Sequence, residues 1–220
     1  MTHVTWGIII ASGKDQQLTS ETGLAFLSLG DRPLISYCLQ AYEDCPEIDG
    51  IVVVAQKDRL ESVAGMAQMF GFSKLRKIAA GGTTRRTSLQ NGLKVLDDDV
   101  TIVSVHDASR PCVSTVLVEE TVKAAKRYGT GIAAAKMSEP VKEVIKGQKV
   151  ASTLDHTRLW TLHSPLTFKR EVLQKGLEQA SAKNQTVDDE SAAVEGIAKE
   201  VHLVPSSASN IKVEAADYHI

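Results

Sequence analysis

The sequence predicts an α/β fold: a mostly parallel, twisted sheet flanked by helices. Three observations lead there. Short β-branched runs alternate with longer stretches of helical apolar spacing. The runs are continuously apolar, the pattern of strands buried on both faces. Ser-Gly and Gly-Gly pairs follow the ends of runs, where a loop turns toward the next helix.

The elements follow in order. Residues 7–11 form an apolar run ending in Ser12-Gly13, which reads as a buried strand and its loop. Pro33 opens a helix with Leu34, Ile35, Cys38, Leu39 and Tyr42 on one face. Residues 48–55 read as a second strand, and Leu60, Val63, Ala64, Ala67 and Phe70 keep helical spacing. Residues 75–79 form a third strand, broken by Gly81-Gly82 and followed by a helix carrying Leu89, Leu93 and Leu96. Residues 100–105 are the next strand. A helical stripe through Leu117, Val118, Thr121, Val122 and Ala125 leads to a small-residue strand at 131–135. Residues 138–158 break this rhythm with strand-like Val141, Val144, Ile145, Val150 and Leu154 around a Gly147 turn, and read as a projecting β-hairpin arm. Helices are expected at 169–182 and 191–198, and short strands at 201–204 and 211–213.

The chain of 220 residues has the size of one α/β domain, so a single domain over residues 1–220 is expected. A net charge of -2 argues against a general nucleic-acid or membrane-surface binder. The three cysteines, Cys38, Cys45 and Cys112, lack CxxC spacing, which points to a reducing compartment. No apolar run has the length of a signal-peptide core or a membrane span, and a cytoplasmic location is expected. The histidines show no compact spacing, so no transition metal is assigned.

Ligands of open α/β sheets bind outside the carboxyl ends of the strands. Three motifs fall at such ends: Ala11-Ser12-Gly13-Lys14-Asp15, Gly81-Gly82-Thr83-Thr84-Arg85-Arg86-Thr87-Ser88, and His106-Asp107-Ala108-Ser109-Arg110-Pro111. Gly81-Gly82 allows close backbone approach and positive φ, and leads into a helix N-terminus that attracts anions; as a plain turn it is capped by Thr87 or Ser88. Asp107 at a strand tip suits Mg2+ bridging nucleotide phosphates, and Arg110 suits a phosphate. A structural alternative is an Asp107–Arg110 ion pair within the turn.

These segments resemble the 2-C-methyl-D-erythritol 4-phosphate cytidylyltransferase family. His106 to Pro111 is similar to its HDAARP, and Gly81-Gly82 through Arg85, Ser88 and Gly92-Leu93 to its GGxxRxxSVxxGL. Leu159-Trp160 with Ser164-Pro165 and Phe168 resembles LWxxxTPQxF, Asp189-Glu190 resembles TDE, and Asn210 to Val213 resembles NIKVT. The matches keep the family's order and span nearly the whole chain. The resemblance implies a nucleotide-diphospho-sugar transferase-like, Rossmann-type fold and a Mg2+-dependent reaction of CTP with a polyol phosphate that releases pyrophosphate. It implies that Ala11, Ser12, Gly13, Gly81, Gly82, Ser88 and Ala108 bind the nucleotide, and that Asp107 serves the metal. Lys212, Arg110 and Lys14 are the catalytic candidates, and His156, Arg158, Ser164 and Asp188 the acceptor-binding ones. It also implies a homodimer in which the arm reaches the partner's site.

The chain departs from the family pattern where charge matters. Leu24 stands where the family has a catalytic lysine, Gln16 where it has a loop arginine, and Asp15 where it has a glycine. His156 takes the place of an arm arginine, and Asp188 that of a threonine. Lost cations beside a transferring phosphoryl group slow the reaction by orders of magnitude, so slow turnover is expected. Three readings stay open at this stage: the cytidylyltransferase, a relative that binds nucleotide as a regulator, and a transferase for another acceptor such as ribitol 5-phosphate.

Overall fold

The computed structural model describes residues 3–12, 23–183 and 189–214. The chain opens with β1 (Val4–Ala11), a short ladder of β2 (Ser28–Leu29) with β3 (Arg32–Pro33), and α1 (Leu34–Glu43). Next come β4 (Gly50–Ala55), α2 (Leu60–Phe70), β5 (Leu75–Ala80) and α3 (Arg85–Lys94). Then follow β6 (Val100–Asp107), α4 (Thr115–Tyr128) and β7 (Thr130–Lys136), and the arm strands β8 (Val141–Lys146) and β9 (Lys149–Leu154). The chain returns through β10 (Trp160–Lys169), α5 (Arg170–Ala182), α6 (Glu190–Val194) and β11 (Leu203–Pro205).

The main sheet has seven strands in the order β11-β7-β10-β6-β1-β4-β5. β1 pairs in parallel with β4 and β6, β4 with β5, and β7 with β11, whereas β10 runs antiparallel to both β6 and β7. The expected mostly parallel sheet is therefore present, with one antiparallel strand inserted.

Side-chain alternation loads both faces. Ile9 and Val53 pack with Leu39, Val63 and Val118 on the face of α1, α2 and α4. Ile8, Ile10, Val52 and Val54 pack with Leu89, Leu173, Leu177 and Val194 on the face of α3, α5 and α6. Each such aliphatic side chain contributes roughly 1.5–3 kcal/mol on full burial. The arm forms a separate two-stranded sheet, turned at Gly147 with φ +60. Positive φ is where glycine is favoured over other residues.

Four expectations need correction. β10 was not foreseen, because Pro165 interrupts its pattern; the strand absorbs the proline in a register shift between Leu162 and Leu166. The helix expected over 191–198 is confined to Glu190–Val194. Residues 211–213 form no strand, since the Val213 N–H donates to the Ser109 carbonyl (2.8 Å) rather than to a ladder. Neither Gly81 nor Gly82 adopts positive φ. Space is the reason for glycine there: a Cβ on Gly81 would lie 2.4 Å from the Ser12 side chain, and one on Gly82 2.2 Å from Thr87 Oγ1.

Candidate active site

Parallel register brings the strand tips together. Ala11 lies opposite Ala55, Ala55 opposite Ala80, and Ile10 opposite Asp107. Ser12, Gly81 and Asp107 therefore leave the sheet along one edge. The next backbone bonds tighten it: Gly81 N–H donates to Ala55 O (2.8 Å) and Ala108 N–H to Ile10 O (3.0 Å).

The glycine turn is braced by Ser88. Its buried hydroxyl accepts from Ser12 Oγ (3.0 Å) and from Gly82 N–H (3.0 Å), and donates to Thr84 O (2.9 Å). Ser88 is thereby fully engaged within the chain. The cap of α3 is Thr84, not Thr87 or Ser88: Thr84 accepts from Thr87 N–H, and Thr87 reciprocates to Thr84 N–H.

The loop after β6 is held by a relay through buried His106. Arg110 N–H closes the turn on Asp107 O (3.0 Å). Burial pushes the His106 pKa down to about 4, so the ring is neutral near pH 7. Its Nε2 sits 3.2 Å from the Arg110 carbonyl, which can only accept, so Nε2 carries the proton. Nδ1 then accepts from Ser164 Oγ (3.0 Å), and Ser164 Oγ accepts from Asp107 N–H (3.1 Å). Ser164 is 1% exposed, and this engagement ties β10 to the loop.

Arg110 does not pair with Asp107. It is buried, and donates from Nη1 to Asn210 O (2.6 Å) and from Nη2 to Leu162 O (3.4 Å). It thus fastens residues 210–213 and β10 to the loop. The partner of Asp107 is Arg85, whose Nη1 contacts Asp107 Oδ1. The same guanidinium reaches buried Glu190, Nε to Oε1 at 2.9 Å and Nη2 to Oε2 at 3.2 Å. Burial raises the Asp107 pKa, but Arg85 outweighs it and holds the carboxyl below its usual range; Lys212 acts in the same direction. The Lys212 side chain itself is exposed.

Among the predicted residues, the structure gathers Ala11, Ser12, Gly81, Gly82, Ser88, Asp107, Ala108, Arg110, Ser164 and Lys212 about this edge. His156 and Arg158 lie in a single turn after β9, capped by Asp155, where the arm rejoins the sheet. Gly13, Lys14, Asp15, Gln16 and Asp188 lie outside the described residues. Leu24 is 1% exposed and packs into the core, so its position presents no group to a ligand. Sequence reasoning missed the roles of Arg85, His106 and Glu190. Arg85 and Glu190 stood inside quoted motifs, but nothing local shows that they meet.

The seven-stranded sheet and its helices have a nucleotidyltransferase-type fold, and a strand-tip carboxylate, a glycine turn and clustered cations lie together on its edge. The chain belongs to the 2-C-methyl-D-erythritol 4-phosphate cytidylyltransferase family, whose model matches residues 5–219. It is 30% identical over 208 residues to the enzyme of that name from Clostridium botulinum (strain Langeland), covering 94% of this chain and 90% of the relative. It is 28% identical over 207 residues to that from Alkaliphilus oremlandii, covering 94% and 88%. Among solved structures, 4-diphosphocytidyl-2C-methyl-D-erythritol synthase from Anaerococcus prevotii superposes with TM-score 0.86 at 26% identity, over 96% of this chain and 90% of that one. The Francisella tularensis 2-C-methyl-D-erythritol 4-phosphate cytidylyltransferase gives 0.79 at 27% identity, over 98% and 96%.

Proposed function

We propose that the protein transfers CMP from CTP to 2-C-methyl-D-erythritol 4-phosphate, releasing pyrophosphate. The observation that carries this reading is the parallel register that sets Ser12, Gly81 and Asp107 on one edge. The family match over residues 5–219 supplies the chemistry. An oxygen of the acceptor phosphate forms a bond to the α-phosphorus. The bond from that phosphorus to the β-bridging oxygen breaks, and pyrophosphate leaves with the electron pair.

The residues act by position and charge. Ala11, Ser12, Gly13 and the Gly81-Gly82 turn shape the nucleotide pocket, with Ser88 and Ala108 supporting it. Lys212 meets the charge that builds at the α-phosphate, with Lys14 as a second cation. Asp107 suits Mg2+: one oxygen is anchored by Arg85, and the other meets no protein donor among the described residues. A single carboxylate combined with substrate phosphates is a usual setting for this ion. When bound, Mg2+ would neutralise charge across the triphosphate. His156, Arg158, Ser164 and Asp188 are the residues that the resemblance assigns to the acceptor.

The protein acts as a single-domain cytoplasmic homodimer joined through its arm. Exposed Val144, Ile145, Val150 and Leu154 support that association.

The test follows pyrophosphate after mixing the protein with Mg2+, CTP and methylerythritol phosphate, with ATP and ribitol 5-phosphate as controls. CTP-dependent release with methylerythritol phosphate is expected. Release with ribitol 5-phosphate alone, or none with either acceptor, would overturn the reading.

A further inference from the structure

We infer that Glu190 and Arg85 are positioning residues for Asp107, with Glu190 supplying the counter-charge that keeps Asp107 available to a divalent cation. The inference rests on the reading of Asp107 as a metal carboxylate. A lone Arg85–Asp107 pair would be neutral and would repel no cation but attract none. With Glu190 in contact, two carboxylates share one guanidinium, so these three groups together carry one net negative charge, which faces the nearby cations Arg110 and Lys212. Glu190 takes Nε and Nη2, leaving a single Arg85 contact to Asp107 Oδ1. Asp107 Oδ2 therefore stays free of protein donors among the described residues. At 4% exposure Glu190 cannot reach a ligand itself, so it acts through Arg85.

The packing that seats Glu190 has a sequence cause. Asp189 caps α6 by accepting from Ser191 N–H (2.7 Å) and Ala192 N–H (3.1 Å). Gly176 on α5 lets α6 approach, since a Cβ there would lie 2.7 Å from Ala193 O. Val194 is fully buried below. α5 and α6 thus hold the carboxylate in place while α3 delivers the guanidinium. Buried second-sphere partners of this kind commonly change metal affinity or activity by about 10- to 100-fold.

The experiment compares wild type and Asp107→Asn, each with and without Glu190→Gln or Glu190→Asp. Mn2+ binding in the presence of CTP, without acceptor, is read by the loss of the free-ion electron paramagnetic resonance signal. Turnover is read separately. Glu190→Gln should weaken Mn2+ binding by about tenfold. Glu190→Asp, which keeps the charge, should recover part of it. In the Asp107→Asn background, Glu190→Gln should have little further effect on either readout. Unchanged Mn2+ affinity in a folded Glu190→Gln protein would overturn the inference. So would equal losses from Glu190→Gln with and without Asp107, the mark of a merely structural role. Should Glu190→Gln fail to fold, Glu190→Asp decides by the same two criteria. A wild type that binds Mn2+ and CTP but releases no pyrophosphate would sink the proposed reaction and leave the Mn2+ comparison to judge Glu190.

Discussion

The Asp107 edge and the β8–β9 arm are built by opposite means. At the edge, His106, Ser164, Arg110 and Asn210 come from distant parts of one chain and bond to each other out of water. In the arm nearly every residue faces solvent, and cross-strand contacts such as Lys142 to Thr153 (2.6 Å) and Ser152 to Glu143 (2.7 Å) are polar and exposed. A two-stranded hairpin is marginal by itself. The described part of the edge is thus bonded together within the chain, whereas the arm carries exposed apolar side chains, Val144, Ile145, Val150 and Leu154.

The sharpest way to break this contrast is at the core beside the edge. Leu24→Lys places an ammonium in a buried position and should lower stability by about 4 kcal/mol, measured by denaturant unfolding. It should not raise turnover, although it restores the residue type expected of the family. A stable variant with faster turnover would mean that this part of the core opens to the ligand.

Acid should act next most strongly. His106 has a pKa near 4 when folded against an ordinary value of 6.5, so between those values the unfolded chain holds the extra proton. The stability from burying the neutral ring is complete above pH 6.5 and is lost as pH falls toward 4, by about 3 kcal/mol. Unfolding free energies from pH 7 to 4, compared with those of His106→Gln, isolate this contribution. Equal slopes would show that the relay does not control it.

Asp107→Asn should cut turnover by about a hundredfold while leaving the fold intact, since it removes charge at the point of chemistry. Kinetics and a melting curve on the same preparation check it. A large loss of stability with normal turnover would reassign Asp107 to the scaffold.

The smallest effect on folding is expected in the arm. Ile145 is 83% exposed, and Ile145→Glu should change chain stability by no more than about 0.5 kcal/mol. It should nevertheless weaken the proposed dimer, read by light scattering across a dilution series. An unchanged mass would separate the arm from association.

Legibility followed how local the signal was. The tips of β1, β5 and β6 were readable because an apolar run followed by Ser12, Gly81 or Asp107 is a pattern of neighbours. The arm was readable because its strands flank Gly147 closely. β10 was not, since Pro165 argues against a strand until its partners on both sides are known. Ser164 and Ser88 are both expected to contact ligands, and what no local pattern shows is that each hydroxyl also bonds within the chain.

The amino-acid order by itself determined the βα alternation, the family and the residues that emerge at the strand tips. All three depend on periodicity and short motifs, which local sterics and burial impose on neighbours. Only the tertiary structure decided that β10 enters antiparallel between β6 and β7, that Leu24 is in the core, and that Arg85 spans Asp107 and Glu190. Those two partners lie 22 and 105 positions away from Arg85 in the chain. A guanidinium is equally able to meet any carboxylate that packing brings within about 3 Å, so the choice belongs to the fold.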